Sequence, residues 1–371
     1  MPYPKFDRDR LVFRGLTERK NRVDIEKDNI RPDKEILNLT EEGQKLLVKT
    51  AARIKQAREN GSSVMLSFGA HLIKNGLSPV LIALMKEGWL THLATNGAGI
   101  IHDWEFAFQG KSSEDVRENV EKGQFGLWEE TGLYINLALA VGAYEGLGYG
   151  ESIGKMIYNE GLSIPSLDEL RDMAVKNVLT DPVLAASATD LAGVISRMDI
   201  KAGFMKIPHP FKEYSAQAAA WKLGIPFTGH PMIGHDIIYC HPANNCAAIG
   251  RTAQNDFLSF ADSVSRLDHG VYMSVGSAVM SPMIFEKSLS MAQNIKIRDH
   301  DHIDDHYMLI ADLAPSEWDW HKNGEPPADD PAYYIRFCKT FSRMGGEMDY
   351  LMADNRDFLP ALYKELNNKQ A

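Results

Sequence analysis

The chain has 371 residues, 40 basic against 50 acidic side chains, a formal net charge of −10, 44% hydrophobic and 24% charged residues. That composition belongs to globular proteins with ample core, and an acidic chain of this kind does not coat nucleic acid, which needs clustered Lys and Arg. No apolar run reaches the roughly 18 residues of a membrane helix, and the opening MPYPKFDRDRLVFRG has no apolar signal core.

Cys240, Cys246 and Cys338 are too few and too irregularly spaced for a disulfide framework, so reduced thiols in a cytoplasmic protein are expected. Residues 1–37 carry mixed charges (DRDR, ERKNR, EKD) with few apolar anchors. They read as an extended arm, either packed on a neighbouring subunit or solvated.

From residue 38 onward the pattern is that of one α/β domain. Asn38 or Thr40 can cap a helix whose apolar positions run from Leu46 to Ala57 before Asn60-Gly61 ends it. Val64–Phe68 and Thr91–Thr95 read as short buried strands around a helix at Pro79–Lys86, a βαβ unit of a parallel sheet. Helical stretches follow at Ile153–Gly161, Leu167–Lys176 and Ser215–Leu223. Asp236–Cys240 (DIIYC) then reads as a strand, Phe257–Arg266 as a helix, Val271–Val275 as a strand, Ile284–Ala292 as a helix and Tyr307–Ala311 as a strand. The alternation predicts a Rossmann-like parallel sheet with helices on both faces. Residues 315–332, rich in proline and acids, form the clearest loop.

Two small-residue turns follow strands: Thr95-Asn96-Gly97-Ala98-Gly99, then His102 and Asp103, and Gly276-Ser277-Ala278. Such turns let a ligand approach the backbone, and a following helix offers free N–H groups to phosphate. The third glycine of a dinucleotide fingerprint is missing, so a structural turn is the competing reading.

Histidines crowd TGHPMIGHDIIYCHP (His230, His235, His241) and RDHDHIDDHY, where residues 299–306 mix His and Asp. The second run could ligate zinc or iron, or be a solvated loop. The first lies in a Gly/Pro-rich loop and offers site residues, with hydrogen-bonded structural histidines as the alternative. Lys339, among Phe337, Cys338 and Phe341, has apolar neighbours that would free its amine for imine formation; a snorkelling surface lysine is the bland alternative.

Taken together, SFGAHLIKNGLSPVLIALMKEGWLTHLATNGAGIIHDWEFAF, the stretch from IPFTGHP through VYMSVGSAVMSPMIFEKSLSMAQN, and YLMADNRDFLPALY resemble the deoxyhypusine synthase family across about residues 60–110 and 215–365. The resemblance implies a tetrameric NAD-dependent transferase with active sites between subunits. Such an enzyme oxidises spermidine, holds the aminobutyl group on a lysine as an imine and passes it to an acceptor amine. It places Lys339 as the imine-forming residue, with His102 or His235 as a base. Thr95, Asn96, Gly97, Ala98, Asp103, Gly276, Ser277 and Asp354 become cofactor contacts. The chain departs from the family pattern at Gly324–Ala328, Phe337-Cys338, His102-Asp103 and Ser281-Pro282-Met283, which points to a diverged amine substrate. The competing readings are a non-catalytic ligand-binding or assembly protein on the same scaffold and a metal-dependent enzyme using the 299–306 run. Fold-level likeness alone does not decide function.

Overall fold

The computed structural model describes residues 3–35 and 38–368. Six parallel strands make the central sheet: β1 (Val64–Phe68), β2 (His92–Asn96), β3 (Phe227–His230), β4 (Val271–Val275), β5 (Tyr307–Asp312) and β6 (Glu347–Met352). Their spatial order is 3-2-1-4-5-6, the doubly wound dinucleotide-binding order. β1 pairs with β2 on one side and β4 on the other, in register from Met65 opposite His92 and from Val64 opposite Val271. The order therefore reverses between β1 and β4.

Alternation along β1 shows why both faces need cover. Val64, Leu66 and Phe68 join one buried cluster, whereas Met65 joins another with Tyr272, Met308 and Ile310. The helices that supply this cover and carry the site are α1 (Glu41–Glu59), α2 (Ala70–Lys74), α3 (Ser78–Lys86), α4 (Gly97–Gln109), α5 (Glu129–Glu145), α6 (Tyr149–Asn159), α7 (Leu167–Asn177), α8 (Pro182–Met198), α9 (Ala216–Leu223), α10 (Cys246–Ser265), α11 (Met280–Arg298), α12 (Arg336–Phe341) and α13 (Asn355–Asn367). Phe260 and Val264 of α10 and Phe285 and Leu289 of α11 fill the second cluster. The Thr40 side chain caps α1 by accepting from Gly43 N–H, and Gly224, in the left-handed region, ends α9.

Two sequence expectations change. The DIIYC segment forms no strand: Phe227–His230 supplies β3, and Ile237–Cys240 is a single 3-10 turn. Its apolar residues anchor a loop instead. Ile238 is fully buried, and its carbonyl accepts from Asn136 Nδ2 of α5 at 2.9 Å.

The charged N-terminal segment 1–37, expected as an extended arm, packs on its own chain in its described part, residues 3–35; residues 1, 2, 36 and 37 lie outside the described residues. Leu16 and Ile25 are fully buried, and Asn21–Asp24 pairs antiparallel with Lys111–Glu114. Among the described residues no helix is long and apolar enough to cross a membrane.

Candidate active site

Loops at the carboxyl ends of β1, β2 and β3 enclose a cavity of about 250 Å³. Lys74 enters from α2, Ala98, His102 and Glu105 from α4, and His235 and Asp236 from the loop after β3. Arg19 from the N-terminal segment and Ser113 and Glu114 complete much of the wall. The carboxyl edge of an open α/β sheet is where ligands of such folds bind.

One wall is internally complete. The Arg19 guanidinium donates to both oxygens of Glu105 at 2.7 Å each, and both groups are almost wholly buried. Ser112 Oγ donates to Glu105 at 2.5 Å, and His102 Nδ1 lies 2.7 Å from the same hydroxyl. Burial opposes ionisation of Glu105, yet the Arg19 charge, the nearby His102 (3.8 Å) and the Arg19 hydrogen bonds prevail and hold its carboxyl at about 2. His71, three residues before the cavity lysine on α2, is lowered by burial, then by the charges of Lys74 and His102.

Asp236, in the same lining, has no such partner among the described residues. Asp236 lies against Gly97, where any Cβ would collide with its carboxylate. Its Oδ2 is buried with no hydrogen-bond partner among the described residues, and burial alone pushes the group up to about 7. Outside the cavity lining, the hydroxyls of Tyr149 and Tyr239, both raised by burial and then by the Asp236 charge, are also buried without partners among the described residues. Ser113, which lines the cavity, carries a second such atom, its Oγ, on a residue held at φ 70°. Buried polar groups are ordinarily paired, and backbone strain collects at functional sites, so Asp236 and Ser113 mark the part of the lining that suits a ligand.

Of the residues expected at a site, Ala98, His102 and His235 line this cavity. The others lie elsewhere. Asp103 is fully buried beneath α9, accepting from Ser215 Oγ at 2.6 Å, Ala216 N–H at 2.9 Å and Gln217 Nε2 at 3.0 Å. It caps that helix. Asn96 caps α4 by accepting from Gly99 N–H at 2.9 Å, and Thr95 Oγ1 donates to the Phe68 carbonyl at 2.9 Å. Asp354 caps α13 and pairs with Arg356 at 2.6 Å.

Lys339 does not line the cavity. Its ammonium stands 3.5 Å from the Tyr333 ring centre and 3.7 Å from Glu325, beside the α11 face of the sheet. The run 299–306 forms no helix but a set of local pairs, Lys296–Asp301 at 2.5 Å, His302–Asp304 at 2.5 Å and His269–Asp305 at 2.9 Å. Among the described residues no three His, Cys, Asp or Glu side chains are placed to hold a metal ion.

A dinucleotide would find different receptions at the two glycine turns. At the turn after β2 the Asp236 carboxylate covers Gly97, and Asn96 has taken the Gly99 N–H. A phosphate there would meet a carboxylate. The turns after β1 and β4 fit better. Gly69 touches Gly276 so closely that a Cβ would collide with the Gly276 carbonyl; Gly276 itself has φ 58° and open space before it. Ser277 Oγ accepts from Ser281 N–H at 3.2 Å, fixing the start of α11. Side-chain-free backbone at the switch point is what a pyrophosphate requires.

Arg19, Lys74 and Asp236 are site residues that sequence reading missed. Asp236 carried one signal, a charge heading an apolar run inside a Gly/Pro loop. Arg19 and Lys74 carried none.

No family model matches the chain, and no curated protein matches it. Solved structures do. AgrE in ternary complex with ornithine and NAD+ shares 14% identity over 89% of this chain and 34% of its own, with a TM-score of 0.44. ArgZ, an arginine dihydrolase from the ornithine–ammonia cycle in Cyanobacteria, shares 13% over 87% of this chain and 33% of its own, with a TM-score of 0.39. A conserved putative LOR/SDH protein from Methanococcus maripaludis S2 shares 12% over 91% and 73%, with a TM-score of 0.42. The chain thus spans about a third of the length of AgrE and ArgZ. None of these three is a deoxyhypusine synthase. The likeness is distant, and the chemistry of the site rests on this chain's own residues.

Proposed function

We propose that the protein is an NAD-dependent enzyme acting on a small amine, with its substrate in the cavity at the carboxyl ends of β1 to β3. The observation that carries this is the unpartnered Asp236 carboxyl, held at about 7 in a cavity that also contains Lys74 and His102. A carboxylate that lacks a protein partner is completed by an ammonium, and a base poised near neutrality accepts its proton. Gly69, Gly276 and Ser277 would hold the dinucleotide at the switch point; when bound, its oxidised nicotinamide supplies a hydride acceptor.

Asp236 takes the proton of the substrate ammonium. His102, anchored through Ser112 to Glu105, keeps a fixed position from which to relay a proton. Arg19 and Glu105 neutralise each other and hold the wall rigid.

Lysine-imine transfer of an aminoalkyl group, the activity the family resemblance implies, is the second reading. The presence of Lys74 in the same cavity favours it. The oxidised substrate carbon would be captured by a lysine amine with loss of the departing amine, then passed to an acceptor. The oligomer with shared sites belongs to this reading; Lys339 would act from a second copy, whereas Lys74 acts within its own.

Incubation with NAD and radiolabelled spermidine or putrescine, followed by borohydride reduction and peptide mapping, tests both readings. Label on Lys74 or Lys339 identifies the nucleophile and the transfer. NADH formation without lysine label leaves simple amine oxidation. Neither signal with any primary amine removes the proposal.

A further inference from the structure

A second cavity, of about 400 Å³, lies at the outer edge of the sheet, where α6, α9 and α10 meet the start of β3. It contains none of the residues of the candidate active site. Its rim is the run Gly146-Leu147-Gly148-Tyr149-Gly150, which opens α6. Those glycines are required by contact. A Cβ on Gly148 would collide with the Asp256 carboxylate, and one on Gly150 with the Phe227 carbonyl.

The lining has one sign of charge. Among the described residues it carries Glu151 and Asp256 and no basic side chain. Lys155, 5.9 Å above the Trp221 ring, is paired with Glu145 at 2.8 Å and does not line the cavity.

Asp256 is 3% exposed, and its Oδ2 accepts from Gly229 N–H at 2.6 Å and Gly150 N–H at 2.9 Å. The backbone donors do not offset its burial, which together with the Glu151 charge keeps the carboxyl up at about 8. Gln217, 1% exposed, gives its amide N–H groups to the Ile100 carbonyl and Asp103, leaving Oε1 buried with no partner among the described residues. Trp221 and Phe227 supply apolar and aromatic wall. One unsatisfied acceptor, two acids and an aromatic surface together describe a receptor for a cation with an apolar body.

We propose that this cavity is a second ligand site, one that binds a small organic ammonium with an alkyl or aryl body. Asp256 receives the ammonium and Trp221 packs on the body. The cavity is also placed to report on the active site. Gly229, which donates to Asp256, precedes the loop bearing His235 and Asp236. Tyr149, between the two glycines of the rim, feels the charges of both Asp236 and Asp256.

The test uses the full-length protein carrying Asp236→Asn, so that binding at the first cavity, and the reading built on it, cannot contribute. Radiolabelled benzylamine is followed by equilibrium dialysis, with benzyl alcohol as the uncharged isostere. One equivalent of benzylamine is expected to bind and benzyl alcohol none. Adding Asp256→Asn, whose amide oxygen can still accept from Gly150 and Gly229, should weaken benzylamine by at least about tenfold, the size of a lost charged hydrogen bond. Trp221→Leu should weaken it several-fold and carries the test if the first variant fails to fold. No benzylamine binding, equal binding of the alcohol, or affinity indifferent to both substitutions would overturn the proposal.

Discussion

Glu105 and Asp236 line the same cavity and have opposite surroundings. Glu105 meets a bidentate guanidinium and a serine hydroxyl and stays ionised to about pH 2; Asp236 meets the backbone of Gly97 and no donor for its Oδ2, and burial lifts it to about 7. Burial disfavours charge in both places, so the difference lies in the partner alone. A carboxylate whose partner is built in serves the fold. One whose partner is missing destabilises the fold at neutral pH and is intelligible when a substrate supplies that partner.

Removing the built-in partner should produce the largest effect. Arg19→Met leaves Glu105 buried and unpaired, and is expected to cost about 3–5 kcal/mol in urea unfolding. Arg19→Met with Glu105→Leu should recover most of that loss, since replacing both members of a buried pair by apolar groups is often close to neutral. A double variant as unstable as the single one would show that the pair does more than balance charge.

Next comes the cap beneath α9. Asp103→Ala removes an acceptor shared by Ser215, Ala216 and Gln217, and should cost about 2 kcal/mol by thermal or urea unfolding while leaving amine KM unchanged. A large change in KM at intact stability would return Asp103 to the site.

The pH dependence of stability separates the two carboxyls by sign. Asp236 has a folded value raised to about 7 from 3.8, so the folded state holds a proton that the unfolded state has released. Stability should therefore fall as pH rises from about 4 to about 7, and Asp236→Asn should flatten that slope. Glu105 has a folded value depressed to about 2 from 4.5. Its contribution is present above 4.5 and lost as pH falls toward 2, and Glu105→Gln should remove that acid limb.

Lys339→Ala should have the smallest effect, below about 1 kcal/mol, because its contacts are a partly exposed ion pair and an aromatic ring. A stability change of that size accompanied by complete loss of lysine labelling would assign the imine to Lys339 and away from Lys74.

The parts of the fold that sequence made legible are those with local pattern. β1, β4 and β5 are short apolar runs bounded by glycine or charge, and Gly224 and Thr40 mark helix ends by backbone geometry and capping. DIIYC misled because four or five apolar residues look alike whether they pair in a sheet or pin a loop. The N-terminal segment misled because Leu16 and Ile25 are isolated anchors in charged surroundings, and Arg19 finds Glu105 86 positions away. At the site, Ala98, His102 and His235 announced themselves beside a glycine turn and in a Gly/Pro loop. Lys74 and Asp236 line one cavity only because β1 and β3 flank β2 in the sheet, a relation that no spacing along the chain encodes. Asp103 looked like a cofactor contact for the same reason: the sequence shows the acid after the turn, not the helix it caps.

The most direct measurement of the central claim is NAD-dependent turnover of a primary amine as a function of pH, in the wild-type protein and in Asp236→Asn. The wild type should rise through a group near 7. The variant should fold equally well and lose about 10²-fold or more in kcat/KM together with that inflection. A variant that turns over amines at the wild-type rate with the same pH profile would contradict the assignment of Asp236 and of the cavity it lines.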